Sequence, residues 1–160
     1  MFSAAVHTLR GEILKLHKIP PGAWVFVGGG AGAVTRYFIL EITPWDGLLM
    51  GYKIPWDVLL INCVGAIALG FLTGYMQSGV RTGRTRPHSD AVRLGLGAGF
   101  LGGFTTYSTL AMGILELTRG GSPASALFYA SISLLLGFFL CWWAMIAGER
   151  FAHRTVGDLS

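Results

Sequence analysis

Polarity divides the chain into four apolar stretches separated by short polar ones, at about residues 24–42, 58–76, 91–117 and 123–148. Each comes close to or exceeds the roughly 20 residues a helix needs to cross a hydrocarbon core of about 30 Å. Ahead of the first, Phe2, Val6, Leu9, Ile13 and Leu16 recur at spacings of four and three, with Arg10, Glu12 and Lys15 elsewhere around the wheel. That pattern suits a helix lying on the membrane surface, or else a tail weakened by Gly11, and Pro20-Pro21 ends it. The predicted organisation is an interfacial segment over 1–20, one four-helix transmembrane domain over 21–149 and a polar tail over 150–160. The fold class is an all-α membrane protein.

The third stretch differs from the others. It contains LGLGAGFLGGFTTYSTL at 94–110, and the middle of that run, Gly102-Gly103-Phe104-Thr105-Thr106, is a poor helix. Paired glycines release backbone, and threonines bond to it. The run predicts a helix broken near mid-membrane. In hydrocarbon an unpaired peptide group costs several kcal/mol, so such a break needs protein, ions or a water-filled path to satisfy it. The competing reading is a small-residue ridge at Gly95, Gly99 and Gly103 that lets helices approach. That ridge leaves unexplained the five consecutive hydroxyl-bearing residues from Thr105 to Thr109.

Other positions interrupt otherwise apolar spans. Gly28 with Gly32, Gly29 with Ala33, and Ala66, Gly70 and Gly74 form small faces for helix packing. The glycine run at 28–32 has only a weak likeness to a dinucleotide fingerprint, since no alternating strand and helix pattern follows. Arg36 within the first span faces a partner, a cavity or the interface, or snorkels to the headgroups. Asn62 in the second span either holds a neighbouring helix or donates to an anion. Tyr129 and Ser133 fall four apart on the last span, either as a polar stripe or as hydroxyls bonded to their own helix. Pro44, Trp45, Asp46, Tyr52, Lys53 and Pro55 give residues 43–55 the character of an irregular interfacial connection. Ser122-Pro123 marks a helix start.

Hydrophobic residues make up 52% of the 160-residue chain and charged ones 12%, about half the charged share usual in soluble domains. Most basic residues cluster outside the apolar runs without interleaved aromatics, which argues for a topology signal and against nucleic acid. Cys63 and Cys141 fall inside apolar runs as small buried hydrophobes, and no disulfide is expected. His7, His17, His88 and His153 show no ligand spacing. No cleaved signal peptide is evident at the start. Four spans put both termini and the middle loop on one side, with Arg10, Lys15, Lys18, Arg81, Arg84, Arg86, Arg93, Arg150 and Arg154. By the positive-inside rule that side is cytoplasmic, as in a multi-pass protein of the cell membrane. Enzyme chemistry is disfavoured: there is no G-x-S-x-G, no H-E-x-x-H and no acidic pair at mid-membrane.

Three motifs, GGGAGAVTRY at 28–37, INCVGAIALGFLTG at 61–74 and GFLGGFTTYSTL at 99–110, together resemble the CrcB/Fluc family of fluoride channels. The likeness covers about residues 27–148. It implies a passive fluoride channel working as an antiparallel dimer, with a central sodium ion held by backbone carbonyls of Gly102 and Thr105. It also implies a fluoride pore lined by Asn62, Tyr107, Ser108, Leu110, Tyr129 and Ser133, with Arg36 shaping the vestibule or the assembly. The family's usual TTFSTF is TTYSTL here, so Tyr107 and Leu110 replace two phenylalanines whose ring edges face the anion. Gly113 stands where an acidic residue is usual. The dimer is a homodimer or a heterodimer with a second CrcB-like subunit, and these departures, together with the one-sided charge, favour the heterodimer. The alternative function is a structural or regulatory subunit that does not itself conduct.

Overall fold

The computed structural model describes residues 20–42, 46–49, 52–81 and 89–157. The expected surface helix or tail at 1–19, most of the basic loop and the last residues of the tail lie outside them. The elements are α1 (Pro21–Ile42), a hairpin of β1 (Asp46–Leu49) and β2 (Tyr52–Pro55), and α2 (Trp56–Arg81). Next, α3 (Ser89–Val92) runs into a π-helical stretch (Arg93–Leu101) and a closing turn, α4 (Gly102–Phe104). After a break come α5 (Tyr107–Arg119) and α6 (Pro123–Gly157).

Proline opens both α1 and α6, at a position whose missing N–H would have had no helical partner. The end of α5 is tied off by Gly120 N–H to the Glu116 carbonyl and Ser122 N–H to the Leu117 carbonyl. Gly121 supplies the left-handed residue this cap requires, at φ 86°. Among the described residues, α1, α2 and α6 are long and apolar enough to cross a membrane. The third apolar stretch is the divided one.

Close helix contact is built on glycine. A Cβ at Gly70 would overlap the Cys141 carbonyl, one at Gly74 the Met145 carbonyl, and one at Gly148 the Phe71 carbonyl, so α2 and α6 touch backbone to backbone. On the other side α1 lies along the π-helical stretch, Gly28 and Gly32 facing the carbonyls of Gly95 and Phe100. The ridge predicted at Gly95, Gly99 and Gly103 exists as well: Gly99 meets Gly28, and Gly103 the Gly29 carbonyl. Without a hydrophobic force between helices in lipid, such proximity gains dispersion contacts. Apolar side chains point outward instead, Phe26, Val34 and Phe38 on α1 being exposed.

Two features depart from the sequence reading. The connection expected to be irregular contains an antiparallel hairpin, with Asp46 opposite Pro55 and Leu49 opposite Tyr52. Its Ile54 is fully buried with Val58, Leu59, Leu110, Leu117, Ala126 and Tyr129, so the hairpin closes one end of the core. The last helix continues to Gly157, past the boundary that hydropathy suggested at 149/150. Polar side chains are compatible with a helix once it leaves the membrane.

Candidate functional site

The break falls at Thr105 and Thr106. Gly102 keeps helical angles (φ −66°, ψ −35°), whereas Thr105 (φ −74°, ψ 156°) and Thr106 (φ −142°, ψ 120°) are extended. The glycines therefore do not interrupt the helix, contrary to the expectation that they would. They pack against α1 while the two threonines leave the ladder. Thr105 still donates its N–H and its hydroxyl to the Leu101 carbonyl, both at 3.0 Å. Beyond that point α4 ends, and the carbonyls of its last turn have no next turn to bond.

Two polar side chains from other helices meet the freed peptides. Asn62 on α2 accepts from the Thr106 N–H at 2.9 Å and donates through Nδ2 to the Thr106 carbonyl at 3.1 Å. This pairing fixes which way round the amide sits and leaves one Nδ2 hydrogen to spare. Arg36 on α1 donates from Nη1 to the Thr105 carbonyl at 3.1 Å. Both side chains thus sit on the break: Arg36 contacts it from α1, and Asn62 holds it from α2. Gly65, a turn below Asn62, receives the Thr105 methyl where a Cβ would overlap it.

Thr106 then caps α5: its Oγ1 accepts from the Thr109 N–H at 3.2 Å and shares bonds with the hydroxyls of Ser108 (3.2 Å) and Thr109 (2.9 Å). Hydroxyl caps of this kind satisfy donors that the first turn leaves open. The sequence places Thr106 in the poor-helix run without marking it as a cap, although a threonine just ahead of a helix is a capping signal. Tyr107 and Ser108 are exposed beside the break, Tyr107 at 80%. Gly102 is exposed too, and a Cβ there would meet nothing within 4 Å.

The remaining candidates gather elsewhere. Leu110 is 7% exposed and sits in the core with Tyr129, which is wholly buried. Tyr129 donates its hydroxyl to the Pro55 carbonyl at 3.2 Å, and Ser133 donates to the Tyr129 carbonyl at 2.7 Å. Ser133 thus follows the reading in which the hydroxyl bonds its own helix. Pro55, read in the sequence only as part of the connection at 43–55, thus contacts Tyr129, and its side chain also lies against Gly113. Among the described residues no group of three or more His, Cys, Asp or Glu side chains is gathered to hold a metal. The oxygens at the break are backbone carbonyls together with the hydroxyls of Thr105, Thr106 and Ser108 and the Asn62 amide.

Comparison with known proteins decides the family. The model described as "CrcB-like protein, Camphor Resistance (CrcB)" matches residues 23–145. The chain belongs to the CrcB family. Among CrcB relatives, the Fluoride-specific ion channel FluC of Bacteroides fragilis is 36% identical over 129 residues, covering 80% of this chain and 95% of that protein. Fluoride-specific ion channel FluC 1 of Symbiobacterium thermophilum is 38% identical over 129 residues, 79% of this chain and 97% of the relative. The FluC of Thermus thermophilus is 35% identical over 133 residues, 83% and 95% respectively. The matched region spans the break and both of its side-chain partners.

Proposed function

We propose that this CrcB chain is a subunit of a fluoride-specific channel that lets fluoride leave the cytoplasm passively. The observation that carries the reading is the pair of extended threonines held by Asn62 and Arg36, since a spanning segment keeps such a break only where it is used or satisfied. The names of the FluC relatives give the anion. In this reading the third stretch crosses the membrane in two halves, making four spans. An inverted second subunit sets two breaks back to back near the midplane, as helix breaks are arranged in many transporters.

Fluoride needs hydrogen-bond donors in place of water. Asn62 offers its second Nδ2 hydrogen, Ser108 an exposed hydroxyl, and Tyr107 a ring edge with partial positive charge. Tyr129 and Ser133 offer the anion no proton while they stay bonded to the carbonyls of Pro55 and Tyr129. Leu110 contributes an apolar wall. The carbonyls of Gly102 and Thr105 suit a hard cation such as sodium, because the donor set is oxygen only and Gly102 is open. Arg36 takes one lone pair of the Thr105 carbonyl and leaves the second. A bound sodium ion would raise the local potential felt by anions.

A second reading, a subunit that conducts only with a different family partner or not at all, is supported by Leu110, which is buried and has no ring edge to present. Both are tested by fluoride efflux from liposomes, read with a fluoride electrode. Rapid efflux from the purified chain alone supports a self-sufficient channel, and efflux only after co-expression with a second CrcB subunit supports the paired one. No efflux in either case contradicts the channel assignment.

A further inference from the structure

The C-terminal end of α6 carries a site that the proposed ion path does not use. Trp143, Ile146, Ala147, Arg150, Phe151 and Arg154 line a cavity of about 230 Å³. Their spacing of three and four puts them on one face of the helix. Phe151 ties that face to α2, its ring centroid 6.0 Å from that of Phe71 and 6.3 Å from that of Tyr75. Gly148 locks the same level by meeting the Phe71 carbonyl. This open groove therefore lies on α6 at the level where that helix packs against α2.

Its depth follows from length. With 35 residues and a rise of about 1.5 Å each, α6 measures about 52 Å, against a hydrocarbon core of about 30 Å. The apolar run stops at Gly148 and charge begins at Glu149, so Trp143 lies about 7 Å inside the hydrocarbon boundary and the two arginines just beyond it. Side chains on a helix lean toward its N-terminus. Arg150 and Arg154 therefore tip back toward the headgroups.

We propose that this cavity binds an anionic phospholipid, its phosphate between Arg150 and Arg154 and one acyl chain along Trp143 and Ile146. Two exposed guanidinium groups one turn apart match a phosphate's oxygens, which arginine engages through paired N–H donors. Trp143, 70% exposed, gives the chain its apolar wall. A soluble anion would use the charge and leave that wall wet. A zwitterionic lipid would bring its own cation against the arginines. Charge and apolarity together select a lipid with net negative charge.

The test uses the full chain in phosphatidylcholine vesicles containing dibrominated phosphatidylglycerol or dibrominated phosphatidylcholine. The readout is the part of tryptophan quenching lost in Trp143→Phe. The expected result is about thirtyfold tighter association of the brominated anionic lipid, the order that two arginines near a headgroup supply. The double variant Arg150→Gln/Arg154→Gln should reduce that preference to about that of the zwitterionic lipid, whereas Arg10→Gln/Lys15→Gln should keep it. Equal loss in both variants would assign the effect to diffuse surface charge and overturn the proposal. Displacement of the lipid by millimolar inorganic phosphate would also overturn it, by making the ligand a soluble anion. Should the double variant fail to fold, the unmodified chain still decides: no preference between the two brominated lipids refutes the site.

Discussion

Asn62→Ala removes both contacts that α2 makes with the break, the 2.9 Å bond from the Thr106 N–H and the 3.1 Å bond to the Thr106 carbonyl. Thr106 is 5% exposed, so neither peptide group gains a free water in exchange. Leaving a buried donor or acceptor unpaired costs about 1–3 kcal/mol each, which gives about 2–6 kcal/mol for the two together. The loss should be local before it is global, because Thr105 stays tied to Leu101 and Thr106 to the first turn of α5. The assay is amide hydrogen exchange of the chain in detergent micelles, residue by residue, alongside equilibrium unfolding. At about 1.4 kcal/mol per factor of ten, the Thr106 amide should exchange at least twentyfold faster. The stability change should be no smaller than about 2 kcal/mol. Unchanged exchange at Thr106, with stability within about 0.5 kcal/mol of the parent, would refute the claim that Asn62 holds the break together.

Three further outcomes follow from the same contacts. Asn62→Asp keeps an acceptor for the Thr106 N–H but sets a carboxylate beside the proposed anion path, so fluoride efflux from liposomes should fall strongly while the chain still folds; unchanged efflux would remove Asn62 from the path. Gly74→Val should cost more than about 1–3 kcal/mol because its Cβ enters the Met145 carbonyl, whereas Gly137→Ala, with nothing within 4 Å, should stabilise by about 0.5–1 kcal/mol; thermal unfolding in one detergent compares the pair. Tyr129→Phe deletes the hydroxyl bond to Pro55 and leaves that carbonyl to find another donor, so it should cost about 0.5–1.5 kcal/mol and loosen the hairpin, measured as faster exchange at Ile54.

Much of this arrangement was legible in the sequence because membranes make polarity informative. Arg36 and Asn62 stood out as costly in apolar runs, and both donate to the broken segment from neighbouring helices. The break itself was legible from the threonines, but its glycines misled: in solution paired glycines weaken a helix, whereas Gly103 here is held helical by packing against Gly29. The π-helical stretch carries no periodic signal of its own, since it depends on where α1 presses on the glycine-rich backbone. The hairpin escaped detection because its four-residue strands lack alternation, and only burial of Ile54 at the end of the core reveals what they do. Tyr129 and Ser133 carry hydroxyls that suit either a pore or a helix backbone, and composition alone does not choose between those partners.

Solid-state NMR of the labelled chain in bilayers, with and without fluoride, addresses the interruption most directly. Cα and Cβ shifts of Thr105 and Thr106 should have extended values, flanked by helical values at Phe104 and Ser108, and the Asn62 side-chain amide should move on adding fluoride but not chloride. Helical shifts at both threonines, with an Asn62 amide indifferent to fluoride, would contradict the account.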